Sequence, residues 1–299
     1  MESSIIRAQG LSRRYGSTIA LDSVDLDIPA GRIVGLIGPN GAGKTTALKA
    51  ILGLSKFSGK LEVLGMNPSK DRDDLMEDVC FIADVAVLPR WARVWQIIEL
   101  TERLHPRFSR EQCMKYLART KIKQHSKVRT LSKGMVVQLH LALVMSIDAK
   151  LLILDEPTLG LDILFRKQFY TSLLNEYFDE QRTILITTHQ VEEVEHILTD
   201  LIFIKDGKLI VNNTMDDIYE QYTEVMVGPD GLEQARSLNP IHERVLFGRH
   251  IMLFDNADQK RLGELGEIHK PSVADLFVAL MGEQANDQTD GSGAGEKAA

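Results

Sequence analysis

The stretch that decides the fold of this chain is Gly38-Pro39-Asn40-Gly41-Ala42-Gly43-Lys44-Thr45. It matches the pattern G-x-x-x-x-G-K-[ST], whose backbone N–H groups bind phosphates when a strand precedes the loop and a helix follows it. Residues 32–37 form a short apolar run typical of a buried strand, and residues 46–52 carry apolar side chains at helical spacing. Such a loop lies at the positive end of a helix, where anions are stabilised. The stretch therefore predicts a site that binds ATP or GTP.

The residue types of this loop suit a nucleoside triphosphate. Its glycines let the backbone approach an anion and turn N–H groups inward. Lys44 supplies a positive charge for the β- and γ-phosphates, and the hydroxyl of Thr45 is a ligand for Mg²⁺. Thr46 opens the predicted helix and is included in the predicted site. Tyr15, in a polar segment before the loop, is either a half-buried packing residue or a ring that stacks on the base.

Two further strands are predicted to end at the same site. Residues 151–154 are a continuous apolar run followed by Asp155 and Glu156, and residues 183–188 form a second buried strand that ends at His189. Parallel α/β sheets bind their ligands at the carboxyl ends of the strands. We therefore expect both carboxylates beside the nucleotide, whereas a strand-end histidine fits a structural and a functional role equally well.

Composition narrows the class of protein. The 299 residues carry a net charge of −7, with 44% apolar and 26% charged residues, as in ordinary globular proteins. The acidic balance gives no electrostatic case for a nucleic-acid partner. The N-terminus lacks the apolar core of a signal peptide, and no run approaches the roughly 18 apolar residues of a transmembrane helix. Cys80 and Cys113 are predicted to be reduced thiols in the cytosol.

The chain changes character near residue 212. A strand at 224–227, a helix at 231–238 and a hairpin that turns at Gly248-Arg249 are predicted beyond this point. Ser272 is predicted to cap a last helix. The predicted division is an ATP-binding domain at 1–211 with a helical subdomain at about 90–148, a small α+β domain at 212–283, and a flexible tail at 284–299.

Several motifs in order resemble those of ABC transporter ATP-binding subunits. The loop at 38–45 resembles the family's Walker A motif, residues 151–156 its Walker B strand, and Leu159-Gly160-Leu161-Asp162 its D-loop. His189 is similar to the family's switch histidine, and Tyr15 to its base-stacking aromatic. Residues 131–135, LSKGM, stand where the family has the signature L-S-G-G-Q. In the family, the residues equivalent to Ser132 and Gly134 face the γ-phosphate of the ATP that the partner subunit holds.

The sequence departs from the family pattern at two places. Lys133 and Met135 replace the third and fifth signature residues, and Lys133 adds a charge there. Asp84 stands where the family has its Q-loop glutamine. The Asp84 carboxylate can still contact Mg²⁺ or a water bound to Mg²⁺. Unlike glutamine, the aspartate side chain is charged, and it is one methylene shorter.

The resemblance implies an α/β P-loop NTPase core with an antiparallel β subdomain, a helical subdomain and a small C-terminal α+β appendage. It implies an ATPase in which two subunits, identical or different, enclose two ATP molecules with Mg²⁺. Residues 269–277, HKPSVADLF, resemble the closing segment of ABC-2-type exporter subunits. The implied partner is an integral membrane permease on a separate chain, and the implied location is cytoplasmic, peripheral on the inner face of the cell membrane.

Two alternatives belong to other classes. A soluble ABC-type ATPase of translation or DNA repair usually has two fused domains or a long inserted coiled coil, and neither pattern occurs here. A binding module that holds ATP without hydrolysing it would be consistent with Asp84 and the changed signature, whereas Glu156 and His189 favour hydrolysis. We therefore expect an exporter ATPase.

Overall fold

The computed structural model describes residues 4–82, 88–159 and 163–282, which divide into two compact units. The first unit ends at Tyr222 and the second begins at Thr223. The sequence predicted a domain boundary between residues 211 and 212, which is earlier in the chain than this division, and that boundary stays a prediction. In the described ranges, no helix is both long enough and apolar enough to cross a bilayer.

The first unit contains nine described strands. In chain order they are β1 (Ser4–Tyr15), β2 (Thr18–Pro29), β3 (Ile33–Ile37), β4 (Ser58–Val63), β5 (Val79–Ile82), β6 (Leu151–Asp155), β7 (Thr183–Thr188), β8 (Asp200–Lys205) and β9 (Lys208–Thr214). Six of them form the central sheet in the order β5-β6-β7-β3-β8-β9, parallel except for the antiparallel pair β8–β9. The predicted strands β3, β6 and β7 are confirmed, and the apolar runs within them reflect burial on both faces of a parallel sheet.

A three-stranded antiparallel sheet, ordered β2-β1-β4, packs over the central sheet. Between them lies helix α1 (Lys44–Ile51). One hydrophobic cluster joins Leu11 and Leu21 of the small sheet, Leu48 of α1, and Ile153 and Leu185 of the central sheet. This shared core holds the start of α1 against the carboxyl end of β3.

A separate hydrophobic cluster defines the helical subdomain. Its helices are α3 (Val94–Leu104), α4 (Arg110–Ala118) and α5 (Lys133–Val144), while α2 (Arg72–Leu75) is a single turn before β5. The predicted cap at Ser109 is confirmed, since its hydroxyl accepts a hydrogen bond from the Gln112 amide at 3.3 Å. Helix α5 was expected to be buried on nearly all sides, but Val136, Val137 and Leu141 are only half-buried.

The remaining helices of the first unit follow the strands of the central sheet. They are α6 (Ile163–Ser172), continued by a π-helical segment at Leu173–Tyr177, the short α7 (Val191–Val194) after β7, and α8 (Met215–Gln221) after β9. Helix α7 has only four residues, so its position depends on side-chain contacts rather than on its own hydrogen bonds.

In its described residues, the second unit is a four-stranded sheet with three α-helices. Its elements are β10 (Tyr222–Val227), α9 (Leu232–Arg236), β11 (His242–Leu246), β12 (Arg249–Asp255), α10 (Gln259–Leu265), β13 (Gly266–His269) and α11 (Val273–Met281), and the strand order is β11-β12-β10-β13. Ser272 caps α11 as predicted. The predicted hairpin turn is wrong by one residue, because Arg249 pairs with Leu246 and the turn is Phe247-Gly248, with φ of 49° and 76°.

Candidate nucleotide site

The phosphate-binding loop connects the end of β3 to the start of α1, and close contacts require its glycines. A side-chain carbon at Gly38 would collide with the carbonyl oxygen of Ile204. Gly43 has φ of 115°, and a side-chain carbon there would collide with the carbonyl oxygen of Ala20. The loop therefore lies directly against β8 and β2, and no residue other than glycine fits at these two positions without a shift of the backbone.

Lys44, the first residue of α1, is buried with 8% of its surface exposed. Its Nζ donates hydrogen bonds to the carbonyl oxygens of Gly38 at 2.6 Å and Pro39 at 3.1 Å. Burial lowers the pKa of Lys44, while the nearby charges of Glu156 and Asp155 act to raise it. The loop thus encloses an ammonium group at its centre, which suits a phosphate ligand.

Two motifs separated by more than a hundred residues share one cleft of about 250 Å³. The structure brings the carboxyl end of β6 beside the loop because β6 and β3 lie on either side of β7. The lining residues are Asn40, Gly41, Ala42, Gly43, Lys44, Thr45, Thr46, Asp155 and Glu156.

A threonine that the sequence analysis missed orients Asp155. Thr187 of β7 lies opposite Asp155 in the sheet, and its hydroxyl donates a hydrogen bond of 2.5 Å to Asp155 Oδ1. The Thr187 carbonyl accepts from the Glu156 amide at 3.0 Å. Position in the sheet was the only signal for this residue, since it is the last but one residue of a predicted buried strand. One residue of β7 thus fixes both members of the acidic pair.

Glu156 and His189 lie in direct contact. His189 Nδ1 is 2.9 Å from Glu156 Oε1, with the imidazole half-exposed and the carboxylate mostly buried. Glu156 has φ of 50°, a left-handed conformation that is strained for a residue with a side chain and is concentrated at functional sites. The structure therefore places the carboxylate and the imidazole as a pair at the rim of the cleft.

A second polar cluster, which the sequence did not reveal, holds the turn after His189. Arg166 of α6 bridges the two ends of this turn, donating to Gln190 Oε1 at 2.9 Å and contacting Glu193 Oε1. Glu193 also accepts from the hydroxyl of Thr158 at 3.1 Å. Thr158 follows Glu156 by two residues, so the cluster closes a ring that includes the Glu156–His189 contact.

The donor set of the cleft fits a divalent cation that takes some of its ligands from the protein and the others from a phosphate and water. Thr45 offers an exposed hydroxyl, and Asp155 offers a carboxylate oxygen. Among the residues that the structure describes, no group of three or more His, Cys, Asp and Glu side chains is arranged to hold a metal. Mg²⁺ is usually bound by one or two protein oxygens, with waters and substrate phosphates as the other ligands.

The two signature residues do not line the cleft formed by the described residues of their own chain. Ser132 is exposed and caps α5, its hydroxyl accepting from the Met135 amide at 3.2 Å. The backbone of Gly134 lies against the ring of Phe165, where a side-chain carbon would be crowded.

Tyr15, at the end of β1, is 45% exposed. Its hydroxyl is 3.3 Å from Ser55 Oγ, and the Arg13 guanidinium lies 4.5 Å from the ring centroid. Two other predicted site residues, Asp84 and Asp162, lie outside the described residues.

Comparisons with known proteins identify the family. The ABC transporter family model matches residues 21–159. The Nod factor export ATP-binding protein I of Cupriavidus pinatubonensis is 30% identical over 310 residues, covering 95% of this chain and 93% of that protein. The chain belongs to the ABC transporter ATP-binding family. The lantibiotic transport ATP-binding protein SrtF of Streptococcus pyogenes is a shorter relative, 33% identical over 71% of this chain and 92% of its own length.

A solved structure with the same fold is cbiO1 from Clostridium perfringens, part of the ABC transporter complex cbiONQ. It has a TM-score of 0.63 and 25% identity, and the match covers 73% of this chain and 91% of that chain. The family and the P-loop ABC ATPase fold predicted from the sequence are thereby confirmed. The chain is an ATP-binding subunit of the ABC transporter kind and an ATPase.

Proposed function

We propose that this chain is the ATP-hydrolysing subunit that powers an ABC-2-type membrane exporter through ATP-driven dimerisation. The observation that carries the proposal is the cleft in which Lys44, Asp155 and Glu156 meet, with His189 in contact with Glu156. The named relatives are an export protein and a lantibiotic transport protein, which favours transport over the alternative of a soluble regulatory ATPase.

The cleft provides what is needed to bind ATP with Mg²⁺. The amides of residues 38–45 and the Lys44 ammonium stabilise the charge of the β- and γ-phosphates. Thr45 and Asp155 would hold Mg²⁺, which would neutralise phosphate charge. The hydrogen bond from Thr187 fixes the Asp155 carboxylate in one orientation. Asp84 is a further candidate contact to the metal or to its water, and Tyr15 is the candidate base-stacking ring.

Glu156 is the candidate general base or water-orienting group. A carboxylate at this place can accept the proton of the water that attacks the γ-phosphate. The contact with His189 holds the carboxylate at one rotamer, and the exposed side of the imidazole is available to the γ-phosphate. Hydrolysis would remove the contact between His189 and the γ-phosphate, so His189 is well placed to report the loss of that phosphate.

The position of the signature residues supports a dimer. Ser132 and Gly134 lie at the start of α5 and are absent from the lining of the described nucleotide cleft. We infer that they, together with Asp162, face the ATP held by a second subunit, which is either a copy of this chain or a homologue. Two protomers would then enclose two ATP molecules, and closure and opening would follow ATP binding and hydrolysis.

The proposed partner is an integral membrane permease on a separate chain, with this subunit peripheral on the cytoplasmic face of the cell membrane. The cbiO1 relative is part of a multi-subunit transporter complex, which supports this assembly. We retain residues 1–211 as the proposed ATP-binding domain, with its helical subdomain at about 90–148, and 212–283 as the proposed accessory domain. No nucleic-acid partner is expected, because the net charge is −7.

ATP-driven dimerisation is tested by molar mass in solution. The molar mass of the Glu156→Gln protein should double from the 33.5 kDa of one chain when ATP and Mg²⁺ are added. The bound γ-phosphate joins the two subunits and is not removed in this variant. ADP with Mg²⁺ is the control and should leave a monomer. A mass that stays monomeric at saturating ATP, measured by light scattering after size exclusion, would contradict the proposed homodimer and direct the search to a homologous partner subunit.

A further inference from the structure

The helical subdomain carries a strongly basic segment that does not line the described nucleotide cleft. Between Gln112 and Ile147 the sequence has no aspartate or glutamate, although the whole chain has a net charge of −7. All the lysines and arginines of this segment other than Lys127 are exposed residues, and Lys127 is half-buried. They are Lys115, Arg119, Lys121, Lys123, Lys127, Arg129 and Lys133.

The fold brings two more arginines and a tryptophan to part of this segment. Backbone hydrogen bonds join residues 90–95 to residues 124–129, from the Arg129 amide to the Arg90 carbonyl at 3.0 Å and from the Val128 amide to the Ala92 carbonyl at 2.9 Å. Arg93 and Lys127 form a bridge between the two segments. We call the resulting surface the basic patch; it consists of Arg90, Trp91, Arg93, Lys121, Lys123, Lys127 and Arg129.

The cations of the patch have no carboxylate partner among the residues that the structure describes, in contrast with the helices beside them. Arg103, Arg110 and Lys115 of α3 and α4 each form an ion pair with a glutamate, at 2.6 to 2.8 Å. Within the patch, Arg93 donates instead to a backbone carbonyl, that of His125, at 2.6 Å. Within the described residues no carboxylate forms an ion pair with these like charges, which repel each other, so this surface is suited to an external anion.

Trp91 makes the surface amphipathic. It lies in the sequence between Arg90 and Arg93, and 75% of its surface is exposed. Tryptophan combined with lysine and arginine is typical of protein surfaces at a membrane interface, where the ring lies at the level of the headgroups and the cations lie near the phosphates.

We propose that the basic patch binds the surface of a membrane that contains anionic phospholipids. The cations of the patch, all exposed except the half-buried Lys127, match the field of a charged plane. Each Lys or Arg near such a plane adds to the attraction. The inference does not depend on a permease, since lipid contact by the ATP-binding subunit itself is tested with vesicles that contain no protein.

The test measures co-sedimentation of the full chain with vesicles at low salt. The protein should bind vesicles that contain phosphatidylglycerol and should remain in solution with pure phosphatidylcholine vesicles. Binding should weaken when the salt concentration rises, because screening shortens the range of surface charges to roughly 8 Å at physiological ionic strength. Equal binding to both kinds of vesicle, or none to either, would overturn the proposal.

A triple variant with a matched control locates the binding to the patch. Lys121→Gln, Lys123→Gln and Lys127→Gln together should weaken the binding to anionic vesicles roughly fivefold per charge, on the order of a hundredfold in all. The control removes three exposed lysines elsewhere in the same unit, Lys56, Lys60 and Lys70, by the same change. It alters net charge equally and should bind like the parent chain. Equal losses in the two variants would show a net-charge effect and overturn the assignment to the patch.

Tryptophan fluorescence supplies a second readout, because the chain has only two tryptophans, Trp91 and Trp95. Anionic vesicles should shift the emission to shorter wavelength, and Trp91→Phe should abolish the shift while most of the electrostatic binding remains.

An alternative partner is an acidic segment of a membrane protein. If the parent chain ignores protein-free vesicles but the triple variant loses its attachment to native membranes, the protein partner is correct and the lipid proposal is wrong.

Discussion

Replacing Glu156 with glutamine should reduce steady-state ATP turnover on the order of a hundredfold or more, the usual contribution of a general base. The substitution keeps the size of the side chain and one hydrogen-bond acceptor, so the contact with His189 and the unusual backbone conformation at this residue can persist. It removes the basic oxygen that would accept the proton of water. ATP affinity should stay within about threefold, because Lys44 and the loop amides are unchanged.

The control for this experiment is Glu192→Gln, which makes the same chemical change at an exposed glutamate on α7. Its turnover should equal that of the parent chain. Turnover is measured by phosphate release and binding by titration with a fluorescent ATP analogue. Full activity of the Glu156→Gln chain would remove Glu156 from the mechanism, and loss of ATP binding would show that the carboxylate acts in holding the nucleotide.

Replacing Arg166 with alanine should also lower ATP turnover, although Arg166 is not among the residues that line the nucleotide cleft in the described structure. The change leaves the carboxylate of Glu193, 22% exposed, without its cation. Breaking a mostly buried ion pair costs about 2 kcal/mol of folding free energy once the remaining exposure is considered. The turn that carries His189 also loses its bridge between Gln190 and Glu193. We expect kcat to fall on the order of tenfold with little change in ATP affinity.

Two variants separate positioning from general instability. Arg119→Ala breaks a more exposed ion pair, between Arg119 just after α4 and Glu176, and it should leave turnover unchanged. Adding Glu193→Gln to Arg166→Ala removes the unpaired charge and should recover much of the thermal stability, while kcat stays low because the bridge is still absent. If the double variant regains full kcat, or if Arg166→Ala lowers ATP affinity as much as kcat, the positioning role is wrong.

Sequence patterns identified the parts of this molecule that depend on local order. The strands β3, β6 and β7 each contain a short apolar run, and the loop at 38–45 is a contiguous motif, so each could be recognised without its neighbours. The meeting of Asp155 and Lys44 in one cleft also followed, because parallel strands place their carboxyl ends at one edge.

The contacts that orient the site could not be predicted in this way. Thr187 meets Asp155 only through the pairing of β6 with β7, and Arg166 reaches Gln190 and Glu193 across the gap between two helices. Such contacts depend on register and rotamer, which a single sequence does not encode locally. The shift of the hairpin turn to Phe247-Gly248 has the same origin, since a phenylalanine with positive φ breaks the usual residue preference of that turn.

The measurement that tests the central claim most directly is purification of the full chain from its native membranes in mild detergent, with identification of the proteins that accompany it. The account predicts a multi-span membrane protein in stoichiometric amount, and an ATPase activity of the complex that Glu156→Gln abolishes. A protein recovered alone from the cytosol, or bound to ribosomes or DNA, would contradict the exporter function and favour a soluble ATPase.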